Sequence, residues 1–142
     1  MLTIAGYYDV DQSGALYYFR KHLQQNPNAN YYLVLGPYDH LGLQGRIIPE
    51  LRGYRLDSEA MIKIYALTFS WFDYILKGAA KPALLQDKVN YELMGANRWE
   101  HAPSLESLQQ KKLTFYLSNI KINDRYTLSQ SLGSGKKELL QK

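Results

Sequence analysis

With 142 residues, 46% of them hydrophobic and 21% charged, the chain has the make-up of one globular domain or slightly more, and not that of a disordered segment. It contains no cysteine, which excludes a disulfide framework, a thiolate metal site and a cysteine nucleophile. The net charge of +4 comes from 17 scattered basic residues, with short doublets such as Lys111-Lys112 and Lys136-Lys137, and scatter of this kind argues against a nucleic-acid-binding face.

Met1 opens straight into an apolar run, Leu2-Thr3-Ile4-Ala5, which reads as a buried strand, so no signal peptide is expected within the chain. The run closes on Gly6-Tyr7-Tyr8-Asp9. A helix follows, since Leu16, Phe19 and Leu23 fall on one stripe while Arg20, Lys21, Gln24 and Gln25 face away from it. Asn26-Pro27-Asn28 ends that helix by turn chemistry. Tyr31-Tyr32-Leu33-Val34-Leu35 is continuously apolar, as expected of a parallel strand covered on both faces, and it closes on Gly36-Pro37-Tyr38-Asp39-His40. Strand, helix and strand over this length make a right-handed βαβ unit.

Leu41 to Leu56 has no clear period and reads as a long loop. A second helix is expected from about Ser58 to Lys77, started by Asp57 or Ser58 and stopped at Gly78. Met61, Tyr65, Phe69, Phe72 and Leu76 form one apolar stripe and Leu67, Trp71 and Tyr74 another, so the helix should pack between other elements, with Trp71 and Phe72 in the core. Its longest uncharged stretch, Ile64 to Phe72, is too short to cross a bilayer.

Ala79-Ala80-Lys81-Pro82 looks like a boundary, dividing the chain into residues 1–80 and 81–142. Beyond it the period falls to 2. Val89, Tyr91 and Leu93 alternate with Asn90 and Glu92, and Leu113, Phe115 and Leu117 alternate with Thr114 and Tyr116, as in half-buried antiparallel strands. Ile120 to Leu128 adds one or two more, and Gly133-Ser134-Gly135 opens a flexible lysine-rich end. The fold class is therefore α/β, a parallel portion followed by an antiparallel sheet. Two sheet edges would be exposed, which favours self-association over a monomer.

Asp9 and His40 would both lie at the carboxyl ends of neighbouring strands, where open α/β sheets keep their chemistry. A serine hydroxyl is a poor nucleophile until a base takes its proton, and that base needs a carboxylate on its other ring nitrogen. Asp9 can orient and His40 can accept the proton. The competing reading has Asp9 capping the following helix and His40 in a surface turn, and spacing alone favours it. Asp11 and Asp39 are rival acids, Asp11 being the better N-cap candidate and Asp39 being adjacent to His40 in sequence. His22 and His101 read as structural, and no histidine pair has metal-ligand spacing, so no metal or other cofactor is expected. None of Ser13, Ser58, Ser70, Ser104, Ser107, Ser118, Ser129, Ser131 and Ser134 sits in a strand–turn–helix elbow.

Gly6-Tyr7-Tyr8-Asp9, then Gly36-Pro37-Tyr38-Asp39-His40-Leu41-Gly42, then Trp71-Phe72-Asp73-Tyr74-Ile75-Leu76-Lys77-Gly78 together resemble the carboxyl-terminal part of the Xaa-Pro dipeptidyl-peptidase and cocaine-esterase-like acyl hydrolases. Val89 to Trp99, with Met94-Gly95-Ala96-Asn97-Arg98-Trp99, resembles the opening of that family's jelly roll. The likeness covers about residues 3 to 118. It implies a serine hydrolase acting on an ester, amide or Xaa-Pro peptide. The implied fold is an α/β-hydrolase sheet followed by an incomplete jelly roll, and the implied triad acid and base are Asp9 and His40. The nucleophile elbow and the oxyanion hole lie upstream in that family and have no counterpart here, so the 142 residues alone should be inactive. Substrate identity and compartment stay open. The alternative is a noncatalytic remnant that uses its β portion for binding.

Overall fold

Hydrophobic patterning places the two apolar runs side by side, and the computed structural model, which describes residues 1–109 and 113–131, pairs them in parallel. Leu2–Gly6 forms β1 and Tyr32–Gly36 forms β2, with Leu2 opposite Tyr32 and Gly6 opposite Gly36. Gln12–Gln25 (α1) joins them. The alternation of side chains along the strands divides the core into two layers. On one face Phe19 of α1 packs with Ala5, Tyr31, Leu33, Leu35 and Val89; on the other Trp71 and Leu85 pack with Tyr32 and Val34. Trp71 belongs to Ile64–Lys77 (α3), so the sheet has a helix on each face.

The segment expected to be a long loop contains structure. His40–Leu43 (α2) is a single helical turn, and Glu50–Leu51 (β3) and Tyr54–Arg55 (β4) form a small hairpin. Arg52 and Gly53 at its tip both have positive φ, the signature of a type I′ connection. The expected helix from Ser58 is also corrected. Ser58–Ala60 makes one 3₁₀ turn and the α-helix begins only at Ile64. The Glu59 carbonyl accepts from the Trp99 indole at 2.9 Å and the Ala60 carbonyl from the Tyr38 hydroxyl at 2.8 Å, so these acceptors are diverted from an α-helical ladder. Neither Asp57 nor Ser58 caps α3; Gly78 ends it in the left-handed conformation, as its position suggested.

The division near residue 80 is not where the molecule divides. Val89–Leu93 (β5) pairs in parallel with β2 and antiparallel with Arg98–Ala102 (β6), giving one sheet of order β1-β2-β5-β6. One compact unit therefore runs from Met1 to Leu108 and a second from Gln109 to Lys142. Asn90 and Glu92, expected on a wet face, are buried, because β5 is an interior strand covered on both sides. Asn90 is fully served: its amide donates to the Leu33 and Asp87 carbonyls and its oxygen faces His101 Nδ1 at 2.8 Å. In the second unit Tyr116–Ile122 (β7) and Arg125–Ser129 (β8) form a hairpin turning at Asn123 and Asp124, both at positive φ. The strand expected at Leu113 begins three residues later, at Tyr116. The expected flexible end from Gly133 and the doublets Lys111-Lys112 and Lys136-Lys137 lie outside the described residues.

α3 departs from expectation on one side. Trp71 is buried against the sheet, with Leu67 and Tyr74 packed around it. Phe69, Phe72 and Leu76 are exposed, Phe69 at 67% and Leu76 at 74%, and Tyr65, also exposed, lays its ring over Gly45 and donates its hydroxyl to the Gln44 carbonyl. Phe72 is thus not a core residue. No helix among the described residues is long and apolar enough to cross a membrane.

Candidate active site

Two loops meet at the carboxyl ends of β1 and β2, held by backbone bonds between them. The Tyr7 N–H donates to the Gly36 carbonyl at 2.8 Å and the Tyr8 N–H to the Tyr38 carbonyl at 3.1 Å. Such close approach needs bare backbone. A methyl group on Gly6 would overlap the Tyr38 carbonyl, and one on Gly36 would overlap the Tyr38 ring. Tyr38 fills the space below, buried, with its hydroxyl on Ala60. The glycines that open both motifs are therefore packing requirements of the rim.

This rim brings the carboxylate of Asp9 and the ring of His40 together. Nδ1 of His40 lies 3.6 Å from Asp9 Oδ1 and 3.8 Å from Asp11 Oδ2. The Asp9 side chain is 4% exposed and that of Asp11 75%, so only Asp9 holds its charge largely out of water. Asp9 Oδ1 also accepts from the Asp11 N–H at 3.3 Å, an Asx turn that fixes the carboxylate before α1 begins. Asp11 occupies the N-cap position of α1 but its side chain makes no capping bond. Asp39 is the residue that does cap, taking the Gly42 N–H at 2.8 Å at the start of α2. That engagement removes it as a partner for the imidazole.

His40 is the first residue of α2, and its side chain is 62% exposed. With Nδ1 turned toward two carboxylates, the neutral tautomer protonated at Nδ1 is the one favoured, which leaves Nε2 with its lone pair free to act as a base. The 3.6 Å separation exceeds a hydrogen bond by several tenths of an ångström. Asp9, Asp11 and His40 can each offer one ligand atom within 4.8 Å of the others, so the trio could also hold a divalent cation. Spacing did not signal this, since the three residues lie on two separate loops.

The remaining histidines have packing roles. His22 stands edge-on to Tyr31 with ring centres 5.2 Å apart, and His101 meets Asn90. Ser58 Oγ donates to Asn97, and Ser104 and Ser107 bond each other around a tight turn. No serine among the described residues hydrogen-bonds His40, and Ser134 lies outside them.

One rim residue escaped the sequence reading. Glu92 is the penultimate residue of β5, the strand beside β2, so its side chain belongs to the same end of the sheet as Tyr38 and Asp9. It is 1% exposed and neither carboxylate oxygen has a hydrogen-bond partner among the described residues. Burial, then the adjacent Asp57 charge, pushes its carboxyl up to about 7. Burial first, and Glu92 second, also raise the Tyr7 and Tyr38 phenols.

No protein-family model matches this chain, and no curated protein does.

Proposed function

We propose that these 142 residues are the acid–base portion of a serine hydrolase, in which Asp9 orients His40 and His40 activates an alcohol that the chain does not itself supply. The observation that carries the reading is the buried Asp9 carboxylate at 3.6 Å from the Nδ1 of a ring whose other side faces solvent. In this mechanism Nε2 of His40 takes the proton of the serine hydroxyl as the hydroxyl attacks the acyl carbon. It then returns that proton to the departing alcohol or amine. Asp9 stabilises the imidazolium formed between those steps without being protonated itself. Water enters next, loses a proton to the same nitrogen and releases the acid. Ester, amide and Xaa-Pro peptide substrates all fit this sequence of events. The finer fold assignment, an α/β-hydrolase sheet leading into a jelly roll, belongs to the same proposal. It is supported by the three sequence blocks and by the parallel pairing of β1 with β2.

The test separates orientation from turnover. In the 142-residue chain, long-range proton–nitrogen NMR should show neutral His40 protonated at Nδ1 in wild type, with that preference lost in Asp9→Asn. A ring protonated at Nε2 would defeat the reading. The chain alone should hydrolyse a chromogenic ester no faster than its His40→Ala variant. Joined to upstream coding sequence that holds a Gly-x-Ser-x-x-Gly elbow, it should turn over, and His40→Ala should abolish the activity.

The alternative, a noncatalytic binding module, draws on a different observation, the uncovered apolar stripe of α3. A reading frame with no elbow upstream, together with a His40 free of tautomer preference, would select it.

A further inference from the structure

Buried carboxylates normally sit among donors, since an ionised group without them carries the full cost of desolvation. Among the described residues Glu92 has no donor: both oxygens are buried, and the polar group beside it is another carboxyl, that of Asp57. Asp57 is differently served. Its Oδ2 accepts from the Gly95 N–H at 2.6 Å and from the Tyr54 hydroxyl at 3.1 Å, and the Gly95 bond is foremost in holding its carboxyl below the ordinary range. One carboxyl is therefore equipped to be an anion and the other is not. A proton on Glu92 turns a facing pair of acceptors into a donor and an acceptor.

The pair sits in a seam within the first unit. On one side runs the segment from Asp57 to Ala60; on the other, the turn from Met94 to Asn97 between β5 and β6. Three contacts besides Gly95 close the seam: Asn97 Oδ1 accepts from Ser58 Oγ at 3.0 Å and from the Glu59 N–H at 2.9 Å, and Trp99 Nε1 donates to the Glu59 carbonyl. A cleft of about 370 Å³ opens along it, with Leu56, Asp57, Ser58 and Met61 on one wall and Asn97 on the other. Among the described residues, the other titratable groups that act on Glu92 are phenols, Tyr7, Tyr38 and Tyr54, and the charged group that shares the cleft with Asp57 is Arg55. Ionised phenols would add negative charge, so none of them can relieve a second carboxylate.

We propose that Glu92 and Asp57 share a single proton and that its loss loosens the 94–97 turn from the 57–59 segment, making the seam a pH-dependent latch that widens the cleft. This does not rest on the hydrolase reading and survives its failure. The direction follows from linkage. Glu92 keeps a proton in the folded chain up to about pH 7, whereas the unfolded chain gives it up near 4.5. The folded state then binds more protons across that interval, so the latch is fully closed below it and weakens as pH rises through about 7.

The experiment uses the full 142-residue chain, carbon-13 labelled at glutamate carboxyls, titrated from about pH 4 to about pH 9. One glutamate signal should titrate near 7, well apart from the rest, and should be missing in Glu92→Gln. Over the same interval hydrogen-exchange protection of the Gly95 amide, corrected for intrinsic exchange, should fall several-fold in wild type and hold steady in Glu92→Gln. A Glu92 signal that titrates with the ordinary glutamates overturns the proposal, as does constant Gly95 protection through that range. Should Glu92→Gln fail to fold, the wild-type titration and exchange profile decide alone.

Discussion

Asp9 and Asp11 stand almost equally far from the His40 ring, yet their surroundings give them unequal weight. Water and salt screen an exposed carboxylate, while a buried one acts through a poorer dielectric. On the proposed serine-hydrolase reading, Asp9→Asn in a chain completed with the upstream elbow should lower kcat by roughly four orders of magnitude, the loss typical of a misoriented triad histidine. Asp11→Asn should leave kcat within a few-fold, and an equal loss from both variants would refute the assignment of Asp9. Part of this site is legible in sequence, because Asp9 and His40 each follow an apolar run by a few residues and parallel pairing carries both to one rim. Glu92 was not legible. Alternation along a strand marks one set of residues as outward only if one face is wet, and an interior strand has no wet face. The rival acid Asp39 became distinguishable only once its bond to Gly42 was visible.

At the scale of elements, the loops after β1 and β2 form one unit through Tyr38. Gly36→Ala would force the buried Tyr38 ring from its place, and a loss of about 1–3 kcal/mol is expected in chemical denaturation, the usual effect of overpacking. Trp71→Ala should cost about 3–5 kcal/mol, because it empties the layer beneath α3. Phe69→Glu with Phe72→Glu should leave stability nearly unchanged, since both rings are exposed. The same double variant tests self-association. β1 is an edge strand and the exposed stripe of α3 adds an apolar surface to the unit. Sedimentation of wild type should show a mass that rises with concentration, and the double variant should suppress that rise. A wild type monomeric at every concentration would remove this expectation. The period of 3.6 identified α3, but its start was hidden, because the Tyr38 and Trp99 contacts that delay it come from distant parts of the chain.

The whole molecule divides after Leu108, not near residue 80. Residues 1–108 alone should therefore unfold in one cooperative transition. Truncation at residue 80, which deletes β5 and β6 from the sheet, should abolish that transition, as thermal circular dichroism would show. The change of period beyond Pro82 is real, yet it marks a change of pairing within one sheet: β5 runs parallel to β2 and only then turns back into β6. By itself, the order of residues determined the α/β class, the βαβ start and the helical period of α1 and α3. All of these follow from local periodicity and from the short, right-handed connection of adjacent strands. Tertiary structure alone decided that β5 is interior, that Glu92 is buried beside Asp57 without a donor, and that one stripe of α3 stays uncovered. These depend on which surfaces meet across long stretches of chain, and no local pattern of residues records that.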